Sequence, residues 1–61
     1  MSRPQPTEVY TVLQKDADYT LIQMDGKQAR VKTAWLDFMA GGNAKATSWR
    51  TETHIRNAEW K

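Results

Sequence analysis

The dipeptide Asp25-Gly26 constrains the fold more than any other feature of the chain. It lies between two segments rich in strand-forming residues, within residues 19–32. Asp-Gly is a favoured pair for a two-residue type I′ turn, in which both central residues need positive φ. Gly26 adopts positive φ at no steric cost, and Asp25 tolerates it better than most residues do. The sequence therefore predicts a β-hairpin centred on this dipeptide.

A two-residue turn also determines which residues of the hairpin face each other. The expected pairs are Met24–Lys27, Ile22–Ala29 and Thr20–Val31. One face is then largely apolar, and we expect it to line the core: Thr20, Ile22, Met24, Ala29 and Val31. The other face mixes aromatic, aliphatic and cationic side chains: Tyr19, Leu21, Gln23, Gln28, Arg30 and Lys32. That mixture suits a sheet covered by the C-terminal segment or curled into a barrel, or else a partner-binding surface.

The segment before the hairpin, residues 8–14, is rich in β-branched and aromatic residues and predicts a first strand. Residues 15–18 form a polar connection of four residues. With that connection, Val9, Thr11 and Leu13 are expected on the core face, and Tyr10 and Val12 on the opposite face. These segments together predict a three-stranded antiparallel meander.

Two further elements are expected after the meander. Thr33 is an acceptable helix N-cap and Gly41 a natural stop, so residues 33–40 predict a short helix. Its aromatic side is expected to close an open end of the sheet with Trp35, Phe38 and Met39. Residues 43–47 are expected to form a loop. The alternation in residues 48–56 favours a C-terminal strand over a helix, followed by a short tail that contains Trp60.

The length of 61 residues allows one domain, which we place at residues 8–61, after a flexible N-terminal arm at residues 1–7. A single core of this size supplies only about 3–5 kcal/mol, and a chain without cysteine has no disulfide to add to it. A homodimer is a possible further source of stability. The chain has no apolar run long enough to span a membrane and no signal peptide, so we expect a cytoplasmic protein without a membrane partner.

Neither a metal nor a cofactor is expected. The single His54 cannot build a metal site alone, and no cysteine is present to supply a thiolate. The Asp16-x-Asp18 spacing lacks the glycine and the distal glutamate of a calcium-binding loop. His54 has no catalytic partner placed by a known motif, and no nucleotide-binding loop is present. We therefore expect a protein that is not an enzyme, with His54 as an exposed strand residue.

The expected fold class is β-rich α+β: a three-stranded antiparallel meander, a short helix and a C-terminal strand. This order over residues 8–56 is similar to that of small SH3-like or Tudor-like barrels, in which a short helical turn precedes the last strand. An open sheet is the alternative. The resemblance is one of architecture and implies a binding function rather than catalysis.

Two functions fit these expectations. The first is a small regulator or inhibitor that docks on a protein partner, as tiny proteins of phages and mobile elements do. The surplus of aromatic residues favours it. The alternative is a nucleic-acid-binding protein that uses a basic and aromatic sheet face, although the net charge is only +2. The candidate binding residues for either partner are Tyr10, Tyr19, Arg30, Lys32, Arg50, Arg56 and Trp60.

Overall fold

The computed structural model describes residues 5–61, which form one antiparallel sheet and one short α-helix. The strands are Val9–Lys15 (β1), Tyr19–Met24 (β2), Lys27–Lys32 (β3), Leu36–Met39 (β4) and Asn43–Ala46 (β5). A 3-10 helix, Thr33–Trp35, precedes β4, and the α-helix Trp49–Arg56 (α1) follows β5. The order across the sheet is β3-β2-β1-β5-β4. The fold is therefore a small β-rich domain with an open five-stranded sheet.

The hairpin of β2 and β3 confirms the prediction in both turn and register. Asp25 and Gly26 have φ values of 54° and 76°, as a type I′ turn requires. Ile22 pairs with Ala29, and Thr20 pairs with Val31. All four of these residues are buried, so the predicted core face of the hairpin is correct.

The predicted facing of the first strand is wrong. Tyr10 is buried and Val12 is half-buried, whereas Val9, Thr11 and Leu13 are exposed. The cause is a β-bulge: Val12 pairs with Ile22 and Gln14 with Leu21, which leaves Leu13 as an extra residue without a partner. One extra residue moves every side chain that precedes it in the strand to the opposite face of the sheet.

The predicted helix over residues 33–40 and the loop over residues 43–47 are also wrong. The helical conformation ends after one 3-10 turn, and β4 and β5 then form a second hairpin. Gly41 and Gly42 both have positive φ, at 86° and 77°. The glycine pair therefore makes a hairpin turn instead of stopping a helix. Trp35 does pack against the core, but Phe38 and Met39 are exposed.

The predicted C-terminal strand over residues 48–56 is a helix. Ser48 is its N-cap, and the Ser48 hydroxyl accepts a hydrogen bond of 3.2 Å from the backbone N–H of Thr51. Glu52 lies in the first turn, and Arg56 lies in the last, where a cation is favoured by the helix dipole. Ile55 is completely buried and anchors the helix on the sheet.

The sheet has one covered face and one open face. We call the covered side the inner face; α1 and the residues that follow it pack there against the core. The core side chains are Tyr10, Ile22, Ala29, Val31, Leu36, Ala44, Ala46 and Ile55. The opposite side, which we call the outer face, carries Tyr19, Leu21, Arg30 and Lys32 on β2 and β3. Since the C-terminal segment covers the inner face, it leaves most of the outer face open.

Candidate binding surface

Three of the predicted binding residues lie together on the outer face. Tyr19 on β2 is directly opposite Lys32 on β3, and the guanidinium carbon of Arg30 is 5.8 Å from the centroid of the Tyr19 ring. Tyr19 is 46% exposed, so its ring is open to solvent as well as close to a cation. The β2–β3 register brings these side chains together because residues two apart on a strand point to the same face.

A second cation and aromatic ring extend this arrangement. The Lys32 ammonium lies 5.8 Å from the centroid of the Trp35 ring. Trp35 in turn stacks on His54 of α1, with ring centroids 5.5 Å apart and 21° between the ring planes. His54 is exposed, as expected, but it lies on the helix α1 and not on a strand, so that part of the prediction is wrong. We call Tyr19, Arg30, Lys32 and Trp35 the basic-aromatic cluster.

Thr33 holds the loop beside this cluster in place. Its hydroxyl donates a hydrogen bond of 2.6 Å to the backbone carbonyl of Asp16, and its backbone N–H donates to the carbonyl of Asp18 at 3.0 Å. The same hydroxyl lies 2.7 Å from that of the buried Thr20. These bonds tie the loop between β1 and β2 to the end of β3. The ends of β2 and β3, where Tyr19 and Lys32 lie, are consequently held in place.

Open hollows surround the cluster on the outer face. One of about 430 Å³ is lined by Ala17, Asp18, Tyr19, Lys32 and Ala34. Another of about 480 Å³ is lined by Leu21, Gln28, Ala29, Arg30, Glu59 and Lys61. A third hollow measures about 110 Å³. Leu21 and Arg30 line both it and the 480 Å³ hollow, and it is also lined by Asp16, the neighbour in sequence of Ala17 in the 430 Å³ hollow. We call this series of hollows the outer-face trough.

The two cations of the cluster form no ion pair within the described residues, although Asp16, Asp18 and Glu59 line the same hollows. Within residues 5–61 the ion pairs are Arg56–Glu8, Arg56–Glu52 and Lys61–Glu59. Arg30 and Lys32 take part in none of them, and each lies against an aromatic ring instead. A cation held on a ring keeps its charge for a second, anionic partner. The cluster can therefore bind an anion without first breaking an ion pair.

Two further residues predicted for the binding surface pack in or against the core: Tyr10 is buried and Trp60 is half-buried. Tyr10 is 1% exposed, and its ring centroid is 6.0 Å from that of Trp60. The Trp60 indole N–H donates a hydrogen bond of 2.9 Å to the backbone carbonyl of Ile55. Burial, followed by the nearby carboxylates of Glu8 and Glu52, raises the pKa of the Tyr10 phenol to about 12. Tyr10 therefore belongs to the core. Trp60 packs against the core and also lines an open hollow of about 250 Å³ with Lys27 and Arg56.

The two remaining predicted residues, Arg50 and Arg56, lie on α1. Arg50 is exposed beside Trp49, with its guanidinium carbon 6.0 Å from a ring centroid of that residue. Arg56 forms ion pairs with Glu8 at 3.3 Å and with Glu52 at 3.7 Å. Neither residue is among those that line the outer-face trough.

Glu52 is the buried charged group that sequence reasoning missed. Its carboxylate accepts hydrogen bonds from the backbone N–H groups of Thr7 and Glu8, at 2.8 and 2.9 Å. Glu52 thus ties Thr7 and the start of β1 to α1. Thr7 belongs to residues 1–7, which the sequence predicts to be a flexible arm; residues 1–4 of that arm lie outside the described residues. The spacing of Glu52 and Arg56, four residues apart, was the available signal for a helix here.

Two other kinds of site are absent from the part of the chain that the structure describes. Residues 5–61 contain no group of three His, Cys, Asp or Glu side chains that could hold a metal ion. They also contain no helix that is long and apolar enough to cross a membrane.

Comparison of the chain with protein-family models, with curated proteins and with solved structures gives no match in any of the three. The function is therefore inferred from the surface itself.

Proposed function

We propose that this protein is a non-catalytic binding module that holds single-stranded nucleic acid on the outer face of its sheet. The observation that carries the proposal is the basic-aromatic cluster. In it, Arg30 and Lys32 are free of ion pairs within the described chain, and each lies against an aromatic ring. Proteins that bind single strands combine cations for the phosphates with aromatic rings on which bases stack.

The shape of the surface favours a single strand over a duplex. The 46% exposed ring of Tyr19 offers a face to an unpaired base, whereas the bases of a duplex are stacked on each other. The outer-face trough runs along the same strands and offers a path for an extended chain past Arg30. Cations at Arg30 and Lys32 would meet the phosphates along that path.

The other function that fits the sequence is docking on a protein partner as a regulator or inhibitor. That expectation rests on a surplus of aromatic residues, and two of them, Tyr10 and Trp60, pack in or against the core. Protein docking is kept as the second candidate because Val9 and Leu13, on the central strand β1, are 50% and 42% exposed. Exposed aliphatic side chains of this kind suit an apolar protein interface.

The test is a fluorescence anisotropy titration with labelled single-stranded DNA and RNA and with duplex DNA, repeated over a series of salt concentrations. We expect binding to the single strands that weakens as salt rises, because each phosphate contact releases a counterion. Tyr19→Ala should weaken binding by roughly 5- to 150-fold, the equivalent of about 1–3 kcal/mol for one base stack. Lys32→Gln should weaken it and reduce the salt slope by about 0.7.

Lys27→Gln is the matched control for Lys32→Gln. Both residues are exposed lysines of β3, and both variants lower the net charge by one, but Lys27 pairs with Met24 and so points away from the outer face. We expect Lys27→Gln to bind with nearly wild-type affinity. Equal losses from the two variants, or no binding of any oligonucleotide at low salt, would overturn the proposal. Capture of a protein through Val9 and Leu13 with little salt dependence would then support the second candidate.

A further inference from the structure

The two edge strands of the sheet, β3 and β4, differ in whether another segment of the chain pairs with their outer side. At the β3 edge, the backbone of Gln28 exchanges two hydrogen bonds of 2.9 Å with Lys61, so the C-terminal end pairs with that strand. At the other edge, β4 pairs with β5 on one side and has no neighbouring strand on the other side among residues 5–61. An edge strand without a neighbour presents unpaired N–H and C=O groups to another strand.

The hydrogen bonds of β5 show which groups of β4 point outward. The N–H of Thr47 donates to the carbonyl of Trp35 at 3.0 Å, which makes these two a hydrogen-bonded pair. Such pairs alternate along an antiparallel ladder, so Asp37 and Met39 direct their backbone groups toward β5. The N–H and C=O of Phe38 therefore point to the free edge, as does the C=O of Leu36. The N–H of Leu36 is already satisfied by the carbonyl of Thr33.

We propose that β4 pairs antiparallel with β4 of a second copy of this chain, in a two-fold symmetric register centred on Phe38. In that register, the two Phe38 residues exchange a pair of backbone hydrogen bonds. Ala40 N–H of each copy can donate to the Leu36 carbonyl of the other. The result is a continuous ten-stranded sheet. The inference does not depend on nucleic-acid binding, because Tyr19, Arg30 and Lys32 lie on β2 and β3, the two strands farthest from β4 in the order of the sheet.

Charge selects this register, and the exposed Phe38 and Met39 side chains make a second copy of the edge a suitable occupant. In a two-fold symmetric pair of antiparallel strands, one residue lies directly opposite its own copy. The pairing of β4 with its copy includes the most residues when that central residue is Asp37 or Phe38. The first places the Asp37 carboxylates opposite each other, which is destabilising. The second places Asp37 opposite Met39 of the other copy and Phe38 opposite Phe38. The Phe38 ring is 37% exposed in the single chain, and the Lys15 ammonium of the same chain lies 4.2 Å from its centroid. The edge is thus complementary to itself.

The test uses charge substitutions at Met39, which is 42% exposed and can be replaced without opening the core. Met39→Lys places an ammonium opposite Asp37 of the other copy, and Met39→Glu places a carboxylate there. Two such cross-strand pairs form in each dimer, so the dissociation constant should fall roughly 2- to 30-fold for lysine and rise by a similar factor for glutamate. Overall charge acts in the opposite direction, because lysine increases the net charge of +2 and glutamate decreases it.

The measurement is sedimentation equilibrium of the intact chain from about 10 μM to about 1 mM, where small interfaces associate. We expect the average mass to rise from 7.0 kDa toward twice that value. The amide protons of Phe38 and Ala40 should become protected from hydrogen exchange in parallel. Arg50→Gln, on α1, is the control and should leave the mass curve unchanged. A mass of one chain over the whole range, or a dimer that Met39→Glu strengthens, would overturn the proposal.

Discussion

The two faces of the sheet differ in what holds their side chains. On the inner face, Ile22 and Val31 of the sheet and Ile55 of α1 are buried at 2% exposure or less, and α1 is tied to the start of β1 through Glu52. On the outer face, Arg30 and Lys32 have neither burial nor an ion pair within the described chain. Burial of apolar area dominates folding, and exposed charges contribute little to it. Stability thus depends on the inner face, the proposed binding surface lies on the outer face, and substitutions should separate the two effects.

The largest expected effect is on the inner face, at Ile22. Ile22→Ala should lower the free energy of unfolding by about 2–5 kcal/mol, because a fully buried side chain leaves a cavity. The measurement is urea denaturation followed by tryptophan fluorescence. Leu21→Ala is the matched control, since Leu21 is the half-buried neighbour on the outer face. A greater loss from Leu21→Ala than from Ile22→Ala would break the assignment of the two faces. If Ile22→Ala does not fold, Ile22→Val should still show a loss of about 0.5–1.5 kcal/mol.

A smaller effect is expected from Glu52, which joins the inner-face helix to the start of β1. Glu52→Ala should cost about 2–3 kcal/mol, because the N–H groups of Thr7 and Glu8 lose their acceptor. Glu59→Ala removes the same charge from an 88% exposed side chain and should stay within about 0.5 kcal/mol. Thermal or urea unfolding of both variants measures the contrast. Equal losses would show that the buried carboxylate has no special role.

Tyr10 makes the inner face sensitive to alkaline pH. Its phenol has an ordinary pKa of 10.0, and burial raises the pKa in the folded protein to about 12. Between these values the unfolded chain has released the proton and the folded chain has not. The free energy of unfolding therefore keeps its full Tyr10 contribution below pH 10 and loses up to about 2 kcal/mol as the pH rises to 12.

The check for Tyr10 is urea denaturation at a series of pH values from 9 to 12, where the raised pKa of about 12 sets the upper limit. Tyr10→Phe should lack this component of the decline, because no phenol remains to titrate. Tyr19→Phe, at an exposed position on the outer face, should decline as the wild type does. Identical pH profiles for the wild type and Tyr10→Phe would contradict the prediction.

The smallest effect on stability is expected on the outer face itself. Lys32→Gln should change the free energy of unfolding by no more than about 0.5 kcal/mol, since Lys32 is exposed and forms no ion pair within the described residues. The same variant is expected to weaken binding of single strands, so urea denaturation and anisotropy titration are to be run on one preparation. A loss of stability as large as that from Glu52→Ala would mean that side chains of the outer face also contribute to the free energy of folding.

The sequence predicted the candidate surface in part. Tyr19, Arg30 and Lys32 were placed together correctly because a two-residue turn determines every pairing in its hairpin. Tyr10 was assigned to the same face and is buried instead, because the bulge at Leu13 has no sequence signal as clear as Asp-Gly. Trp60 was predicted for the surface as well. Its partners Tyr10 and Ile55 lie on other elements, and no local pattern indicates that contact.

The chain after Lys32 shows why local patterns mislead. Thr33 and Gly41 carry the signals of a helix start and stop, yet Thr33 instead bonds to Asp16, and Gly41 turns a hairpin. The alternation of Trp49 and Ile55 with charged residues suggested a strand. The helix forms there because Ser48 caps it and because Glu52 and Ile55, three residues apart, both face the interior. Intrinsic propensities are worth less than 1 kcal/mol per residue, and packing against the sheet overrides them.

By itself, the sequence determined the β2–β3 hairpin, its register, its core face and the juxtaposition of Tyr19 with Arg30 and Lys32. These follow from the backbone preferences of two adjacent residues and from the period of two along a strand. Only the tertiary structure decided which side of β1 is buried, that Gly41-Gly42 joins two strands, and that the last segment is a helix on the inner face. Those outcomes depend on contacts between residues distant in sequence, such as Glu52 with Thr7, and local chemistry does not encode such contacts.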